Sequence, residues 1–455
     1  MRPSRSVVVG VALATSAALL AACSGGGGTP SSSGAATTSN GAATTSNGGT
    51  KTDQQVTINY ATVTAGDILA KGETPVINAF MAANPNIKVN VESVPVNDFS
   101  TKLTTQFRGG QGPDVFRVNA SDLQSWAAAG FLQPLDDVIT AQGIDKAGLI
   151  PGLVQMGANG EGGAITSLPL GTDTRVLYYN PALLATQGIS QPPVTWDEML
   201  TDVKKFAGTG NYGFGFMDSG NDYAMVWESV GPFIRSAGGA LINSDGTQAI
   251  AGTTQATIDA TQFVQDLVKT GGTPPGGSLT EQLLAQLFSQ GKLAMMLGGP
   301  WVRQDILTAN PDFVYGTSYL NTVVPVQKAG DVSGSMGGGW FLSINKASKN
   351  QEAAAKLVAF LMQKDNLATI NGPEAFPPRM DGMSTSPWSD DPFYKAYADQ
   401  LKGTGWVFPP LPTIQEIVVA FKNAVLPVLL DTTKSVPDAL KSFDDTYNTT
   451  IANQS

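Results

Sequence analysis

Between Val56 and Gly130, segments with the two-residue period of a strand alternate with segments of helical period, and that order leaves the chain few folds. Val56 to Val63 and Ile87 to Val94 place β-branched residues at alternate positions. Thr74 to Ala83 between them reads as a helix, stopped by the turn Asn84-Pro85-Asn86. Asp98 to Arg108 predicts the next helix, and Gly112-Pro113-Asp114 leads into Val115 to Val118 as a buried strand. Ser121 to Ala129 follows as a helix, with Ser121 and Gln124 spaced as a capping box and Gly130 as its stop. Three β-α units in succession predict an open, mostly parallel sheet. Ligands of such sheets bind at the carboxyl ends of strands, here the loop Thr64 to Gly72 and the tripeptide Asn119-Ala120-Ser121. Asn119 is therefore a candidate ligand residue, with a turn role as the competing reading, whereas Ser121 is assigned mainly to its cap.

At the amino terminus Arg2 and Arg5 precede an apolar stretch, Val7 to Ala22, ending in Leu20-Ala21-Ala22-Cys23. A basic start, a short apolar region and small residues before a cysteine are the pattern of a signal peptide with a lipobox. Residues 1–22 are expected to be removed and Cys23 to carry a diacylglyceryl group. Residues 23–54 form a tether of Gly, Ser, Thr, Ala and Asn in which Gly34 to Asn40 recurs as Gly41 to Asn47. So few large apolar groups cannot offset the entropy of ordering.

Cys23 is the only cysteine, so no disulfide, zinc-thiolate site or cysteine nucleophile is expected in the mature domain. Histidine is absent, which closes off Ser-His-Asp triads, histidine bases and most transition-metal sites. No cofactor is called for. Loss of Arg2 and Arg5 with the leader takes the formal charge from -10 to -12, a balance that argues against nucleic acid. Two-carboxylate chemistry survives these exclusions, so a secreted glycosidase stands as the reading from another class.

Further along, Leu168-Pro169-Leu170-Gly171-Thr172-Asp173 enters a strand, Arg175 to Asn180. After Pro192-Pro193-Val194 a helix opens with the capping box Thr195-Trp196-Asp197-Glu198, and Met199, Leu200, Val203 and Phe206 form its apolar stripe. Gly291 to Trp301 reads as a strand ending in Gly-Gly-Pro-Trp. Gly338-Gly339-Trp340 precedes a strand, Phe341 to Asn345, and a helix, Gln351 to Gln363. Thr413 to Leu430 and Val436 to Ile451 read as closing helices. In this order the motifs resemble family 1 of the extracellular solute-binding proteins, the maltose-binding-protein-like receptors of ABC importers, over nearly all of Val56 to Ser455.

The resemblance implies an α/β, two-lobed periplasmic-binding-protein-like fold of type II, with a ligand cleft between lobes joined by crossing hinge strands. Residues 55–168 with about 322–374 would form lobe one, and 169–321 with about 375–455 lobe two. The first crossing is expected near Thr166 to Gly171, the return around Tyr319 to Val324. A monomer is expected on the outer face of the cell membrane, handing a carbohydrate, a di- or oligosaccharide, to ABC permease subunits without any enzymatic step.

A sugar ring offers an apolar face and a rim of hydroxyls, so its site needs aromatic plates beside planar polar groups. Trp301, Trp340 and Trp227 are the chosen plates, the first two displayed on glycine-rich loops, and the resemblance puts Trp301 on a sugar-stacking position. Trp126 and Trp196 are assigned to packing, while Trp388 and Trp406 are left open. Asp173, Glu228 and Arg379 are nominated for hydroxyls, because a carboxylate accepts from two vicinal hydroxyls and a guanidinium donates a planar fork. The resemblance matches Asp173 to a sugar-binding glutamate, and Arg379 to a Pro-x-Arg turn. For Arg379 a salt bridge between lobes competes with that role, and for Glu228 plain solvation. Gly339, in the run Gly337 to Gly339, is nominated as a backbone clamp; the run lacks the Lys and following helix of a Walker loop. Adjacent Tyr178 and Tyr179 would face opposite sides of a strand, which disfavours a shared iron site. Val118 and Ser121 stand where the family's maltodextrin receptors have an aromatic and an acidic residue, so that ligand is not carried over. A receptor for a glycerophosphodiester, using Arg379 and the glycine run for phosphate, is the alternative within the binding class.

Overall fold

A computed structural model describes residues 55–64, 68–160, 162–372, 375–405 and 411–451, all within one compact unit, Asp53–Ser455. The expected leader, Cys23, the tether, Trp406 and part of the Thr64 to Gly72 loop lie outside the described residues.

The first sheet is built on β1 (Val56–Thr64), β2 (Ile87–Pro95) and β3 (Val115–Asn119), with β1 central and parallel to both neighbours. Successive side chains of β1 point to opposite faces, and each face has its own core. Ile58 and Tyr60 pack with Phe80, Leu342 and Leu357, whereas Ala61 and Val63 pack with Phe99, Phe116 and Val118. Helices cover both faces, which is why Tyr60 to Val63 are buried in succession. The expected helix Thr74–Ala83 has those bounds, and Val96–Arg108 buries Phe99, Leu103 and Phe107 at four-residue intervals.

The capping box expected at Ser121 and Gln124 does not form. The helix there is Leu123–Ala128; Ser121 donates instead to Asn119 Oδ1 at 2.8 Å, and Gln124 Nε2 to the carbonyls of Met156 and Ala158 at 2.9 and 2.8 Å. Gln124 is buried, so its amide is taken up by backbone acceptors that water cannot reach. The box at Thr195 does form: Thr195 Oγ1 accepts from the Glu198 N–H, and Glu198 Oε2 accepts from the Thr195 N–H at 3.1 Å, opening the helix Trp196–Lys204.

The second sheet runs β6-β7-β5-β8, from β5 (Val176–Tyr179), β6 (Tyr212–Gly215), β7 (Leu293–Gly298) and β8 (Leu320–Thr322). Its cores contain Leu177, Phe214 and Phe233 on one side and Tyr178, Phe288 and Met296 on the other. The closing helices Ile414–Leu430 and Val436–Thr446 join the first of these through Ile417, Phe421, Leu440 and Phe443. Tyr178 is fully buried, and its hydroxyl lies 2.6 Å from that of Tyr397, while Tyr179 points the other way. Among the described residues no helix is long and apolar enough to cross a membrane.

The strands β4 (Leu168–Thr174) and β9 (Ser335–Ile344) run between the sheets. β4 lies antiparallel to β9 from Leu168↔Leu342 to Thr174↔Gly337, and one residue later the chain enters β5 of the second sheet. β9 also pairs with β3 from Val115↔Ile344 to Asn119↔Trp340, and with the short β10 (Thr404–Gly405) at Ser335 and Met336. The return expected around Tyr319 to Val324 comes later. Leu320–Thr322 is an edge strand on β5, and Val324 is buried in the second core, so the chain has not left that lobe by residue 324.

Candidate functional site

The sheets meet around a cavity of about 320 Å³. Asn119 reaches it from the end of β3, Asp173 and Arg175 from the crossing between β4 and β5, and Gly339 and Trp340 from β9. Trp227 and Glu228 come from the turn Met225–Ser229, and Trp301 from the loop after β7. Seven of the eight nominated ligand residues therefore line one cavity. A wider, open hollow of about 800 Å³ shares Asn119, Trp340 and Tyr223 with it.

Asn119 combines both of its readings. Its Oδ1 accepts from the Ser121 N–H at 3.0 Å, which closes a turn, while the residue still lines the cavity. The Gly337 to Gly339 run is strand rather than loop, so Trp340 is also displayed from a strand. Gly338 and Gly339 are there because β4 lies too close for side chains: a Cβ on Gly338 would strike the Asp173 carboxylate, and one on Gly339 the Gly171 carbonyl. Gly339 has φ +151, a conformation that only glycine adopts freely.

On the floor sits a buried ion network that spacing alone did not reveal. Arg175 donates through Nε to both Glu228 oxygens at 3.1 Å, through Nη2 to Glu228 Oε1 at 2.6 Å, and through Nη1 to Asp173 Oδ1. All three residues are more than nine-tenths buried, so removing any one leaves charge without compensation in a poorly solvated place. Burial raises the pKa of Asp173; Arg175 opposes this and Glu228 adds to it. For Arg175 burial acts to lower the pKa, but the charges of Glu228 and Asp173 outweigh it and hold the guanidinium protonated.

Trp301 is half-buried, donates from Nε1 to both oxygens of Glu281 at 2.9 Å, and has the Arg175 guanidinium 5.0 Å from its ring centroid. Gly299 makes room for the indole, since a Cβ there would overlap the ring. Trp340 presents a partly exposed ring, with Phe99 edge-on at 5.6 Å. Trp227 is more core than plate: it is 5% exposed and its Nε1 donates to the Gly337 carbonyl at 3.0 Å. Trp126, Trp196 and Trp388 are all buried in packing roles.

Arg379 is not part of the cavity. Its guanidinium donates to Asp145 Oδ2 at 3.1 Å and to Asp381 Oδ1 at 3.0 Å, and its backbone bridges to Leu149. Two nearby carboxylates on the outside of the fold compete for it, and the competing salt-bridge reading is the geometry found.

Several site residues went unnamed in the sequence. Arg117 lines the cavity and donates to Glu73 Oε1 at 2.6 Å, an oxygen that also accepts from the Tyr60 hydroxyl at 2.6 Å. Glu281, first residue of the helix Glu281–Ser289, looks in sequence like an ordinary helix-start acid. Burial, then the charges of Glu228 and Asp305, push its carboxyl up to about 8. Asp305 stands four residues after Trp301, lines the same wall, and is pushed up to about 6 by burial. The i, i+4 spacing of Trp301 and Asp305, and the charges of Asp173 and Arg175 two apart in an apolar strand, were the available signals. Among the described residues no group of three or more His, Cys, Asp or Glu has the arrangement of a metal site.

The model of the bacterial extracellular solute-binding protein family matches residues 65–368. A binding protein of Brucella abortus (strain 2308) is 28% identical over 375 residues, spanning 80% of this chain and 85% of its own. The diacetylchitobiose binding protein DasA of Streptomyces coelicolor is 23% identical over 384 residues, 82% of this chain and 85% of its own. An ABC transporter solute binding protein from Thermotoga lettingae, solved bound with α-D-tagatose, superposes with a TM-score of 0.75 at 26% identity, covering 86% of this chain and 99% of the other. The two-lobed α/β fold is thus that of solved solute-binding proteins, and the chain belongs to the bacterial extracellular solute-binding proteins.

Proposed function

We propose that this protein captures a carbohydrate in the cavity between its lobes and delivers it to an ABC permease. The observation that carries the reading is the pairing of two partly exposed indoles, Trp301 and Trp340, with buried planar polar groups, Asp173, Arg175 and Glu228, around one small cavity. Aromatic faces take the C–H side of a sugar ring and the planar groups take its hydroxyls. Relatives described as binding diacetylchitobiose and α-D-tagatose support it. The volume, about 320 Å³, is at the lower end of small-molecule sites and suits one or two sugar rings, with the adjoining hollow open to a longer chain.

Neither alternative draws comparable support. A phosphate would need a free cation, but Arg175 is held by two carboxylates, Arg117 by Glu73, and Arg379 stands outside the cavity. A glycosidase acting through Asp173 and Glu228 would need them free to serve as acid and base, and both are tied to one guanidinium. Anchoring through a lipid on Cys23 belongs to the same proposal, as does closure of the lobes on the ligand. Replacing Cys23 with Ser would then release the protein from cell membranes.

The direct test is a thermal-shift screen of the protein from Lys51 onward against mono- and oligosaccharides and glycerophosphodiesters, with product analysis. A ligand at 100 times its dissociation constant adds about 2.7 kcal/mol and raises the midpoint on the order of 3 °C. A shift by one sugar recovered intact supports the reading; cleaved sugar, or a shift by the phosphodiesters alone, overturns it.

A further inference from the structure

The wall formed by Glu281 and Asp305 has acceptors without donors. Trp301 Nε1 is the sole hydrogen-bond donor to the Glu281 carboxylate among the described residues, and the Asp305 carboxylate has none. Among the described residues no cation forms a salt bridge with either one. Arg175, whose charge acts on Glu281, spends its N–H groups on Glu228 and Asp173.

Two further acceptors face the same space. Asp173, 7% exposed, bonds Arg175 through Oδ1 only, and its Oδ2 has no partner among the described residues. Asn221 Oδ1 is buried and unpartnered, and Asn221 lines the cavity. A hydroxyl brings one donor together with lone pairs of its own that need donors, whereas an ammonium brings three donors, no acceptor and a positive charge. The second kind of group answers both the surplus of acceptors and the surplus of negative charge.

We propose that the solute is an amino sugar, bound with its protonated amine on the Glu281–Asp305 wall beside Trp301. The proposal rests on the carbohydrate reading of this cavity and narrows it. It also predicts a proton count. The titratable groups facing Glu281 are Glu228, Asp305, Arg175 and Tyr223, and with burial they leave its carboxyl near 8 when the cavity holds no cation. An arriving ammonium favours the carboxylate, so binding near pH 7 releases a proton from Glu281; a neutral sugar releases none.

The experiment is isothermal titration of the wild-type protein at pH 7 with pairs differing only in amine against hydroxyl: glucosamine and glucose, galactosamine and galactose, mannosamine and mannose, and the glucosamine β-1,4 disaccharide and cellobiose. Each titration is run in two buffers of different ionisation enthalpy. The expected result is an amine member bound about tenfold more tightly than its hydroxyl twin, with proton release, and loss of the preference in Glu281→Gln and Asp305→Asn. Thermal unfolding of both variants is the check that they remain folded. Equal or tighter binding of the hydroxyl twin overturns the amine and leaves the carbohydrate reading standing. A preference that survives both substitutions overturns the assigned wall, and failure of every sugar to bind overturns this proposal together with the carbohydrate reading.

Discussion

Gln415 and Ser121 are joined across the cleft by a 2.8 Å hydrogen bond from Nε2 to Oγ, although one stands on the helix Ile414–Leu430, which packs on the second sheet, and the other in the turn after β3. The same amide donates to Asp122 Oδ1 at 3.0 Å. Both bonds hold the lobes together beside the open hollow, whose lining does not include Trp301.

Replacing Gln415 with Ala removes both bonds and shifts the population toward the open form. Each contributes about 0.5–1.5 kcal/mol, so ligand affinity is expected to fall roughly 5- to 150-fold while the cavity residues stay unchanged. Small-angle scattering of the ligand-free variant should show a larger radius of gyration. Unaltered scattering and affinity would mean that closure does not depend on this contact.

Arg175 is the residue whose loss should be felt most. Arg175→Gln leaves Asp173 and Glu228 buried without their cation and is expected to cost about 3–5 kcal/mol of stability in urea unfolding, along with binding. Arg175→Lys should recover little, because an ammonium cannot reproduce the fork that serves two carboxylates at once.

The raised carboxyls set a direction for pH. Asp122 and Asp305 are pushed up to about 6 and Glu281 to about 8, from ordinary values of 3.8, 3.8 and 4.5. A group raised on folding contributes stability that is complete below its unfolded pKa and is lost as pH rises through the folded value. The window is thus about pH 4 to 6 for the two aspartates and about 4.5 to 8 for Glu281. The ligand-free protein should melt at a lower temperature at pH 8 than at pH 5. Glu281→Gln should flatten the upper part of that slope, by about 1–3 kcal/mol after allowance for the partial exposure of the site. An unchanged slope in the variant would show that Glu281 does not titrate in this range. The lowered carboxyls of Glu198 and Asp381 act at lower pH and leave this comparison untouched.

Arg379→Ala gives the opposite pattern to Arg175→Gln. Its partners Asp145 and Asp381 are well exposed, so the pairs contribute about 0–1 kcal/mol, and ligand affinity should stay within about twofold of wild type. A tenfold loss in titration calorimetry would return Arg379 to the site.

The difference between Arg379 and Arg175 shows what could be read ahead of the structure. Local patterns were legible: Thr74–Ala83 is fixed by its apolar spacing and the following turn, and Thr195 and Glu198 satisfy each other within four residues. Ser121 and Gln124 have the same lettering, yet Gln124 answers carbonyls more than thirty residues away. Strand ends and glycine runs led to most of the cavity, because β-α order decides where loops collect. The charged floor was not legible, since the partner of Arg175 lies 53 residues on and is chosen by packing. Nor was the acid wall, because nothing in Thr280-Glu281 distinguishes a helix-start carboxylate in water from one against an indole.

The pairing of β4 with β9 places Asp173 opposite Gly338 inside the crossing itself, two residues before Arg175, whose guanidinium also grips Glu228. The segment that would twist in the proposed closure is therefore also the segment that carries a proposed ligand group. Under the proposed closure, opening the cleft would displace Asp173 relative to Glu228, and affinity for the solute and the angle between the lobes would be two readings of one backbone coordinate.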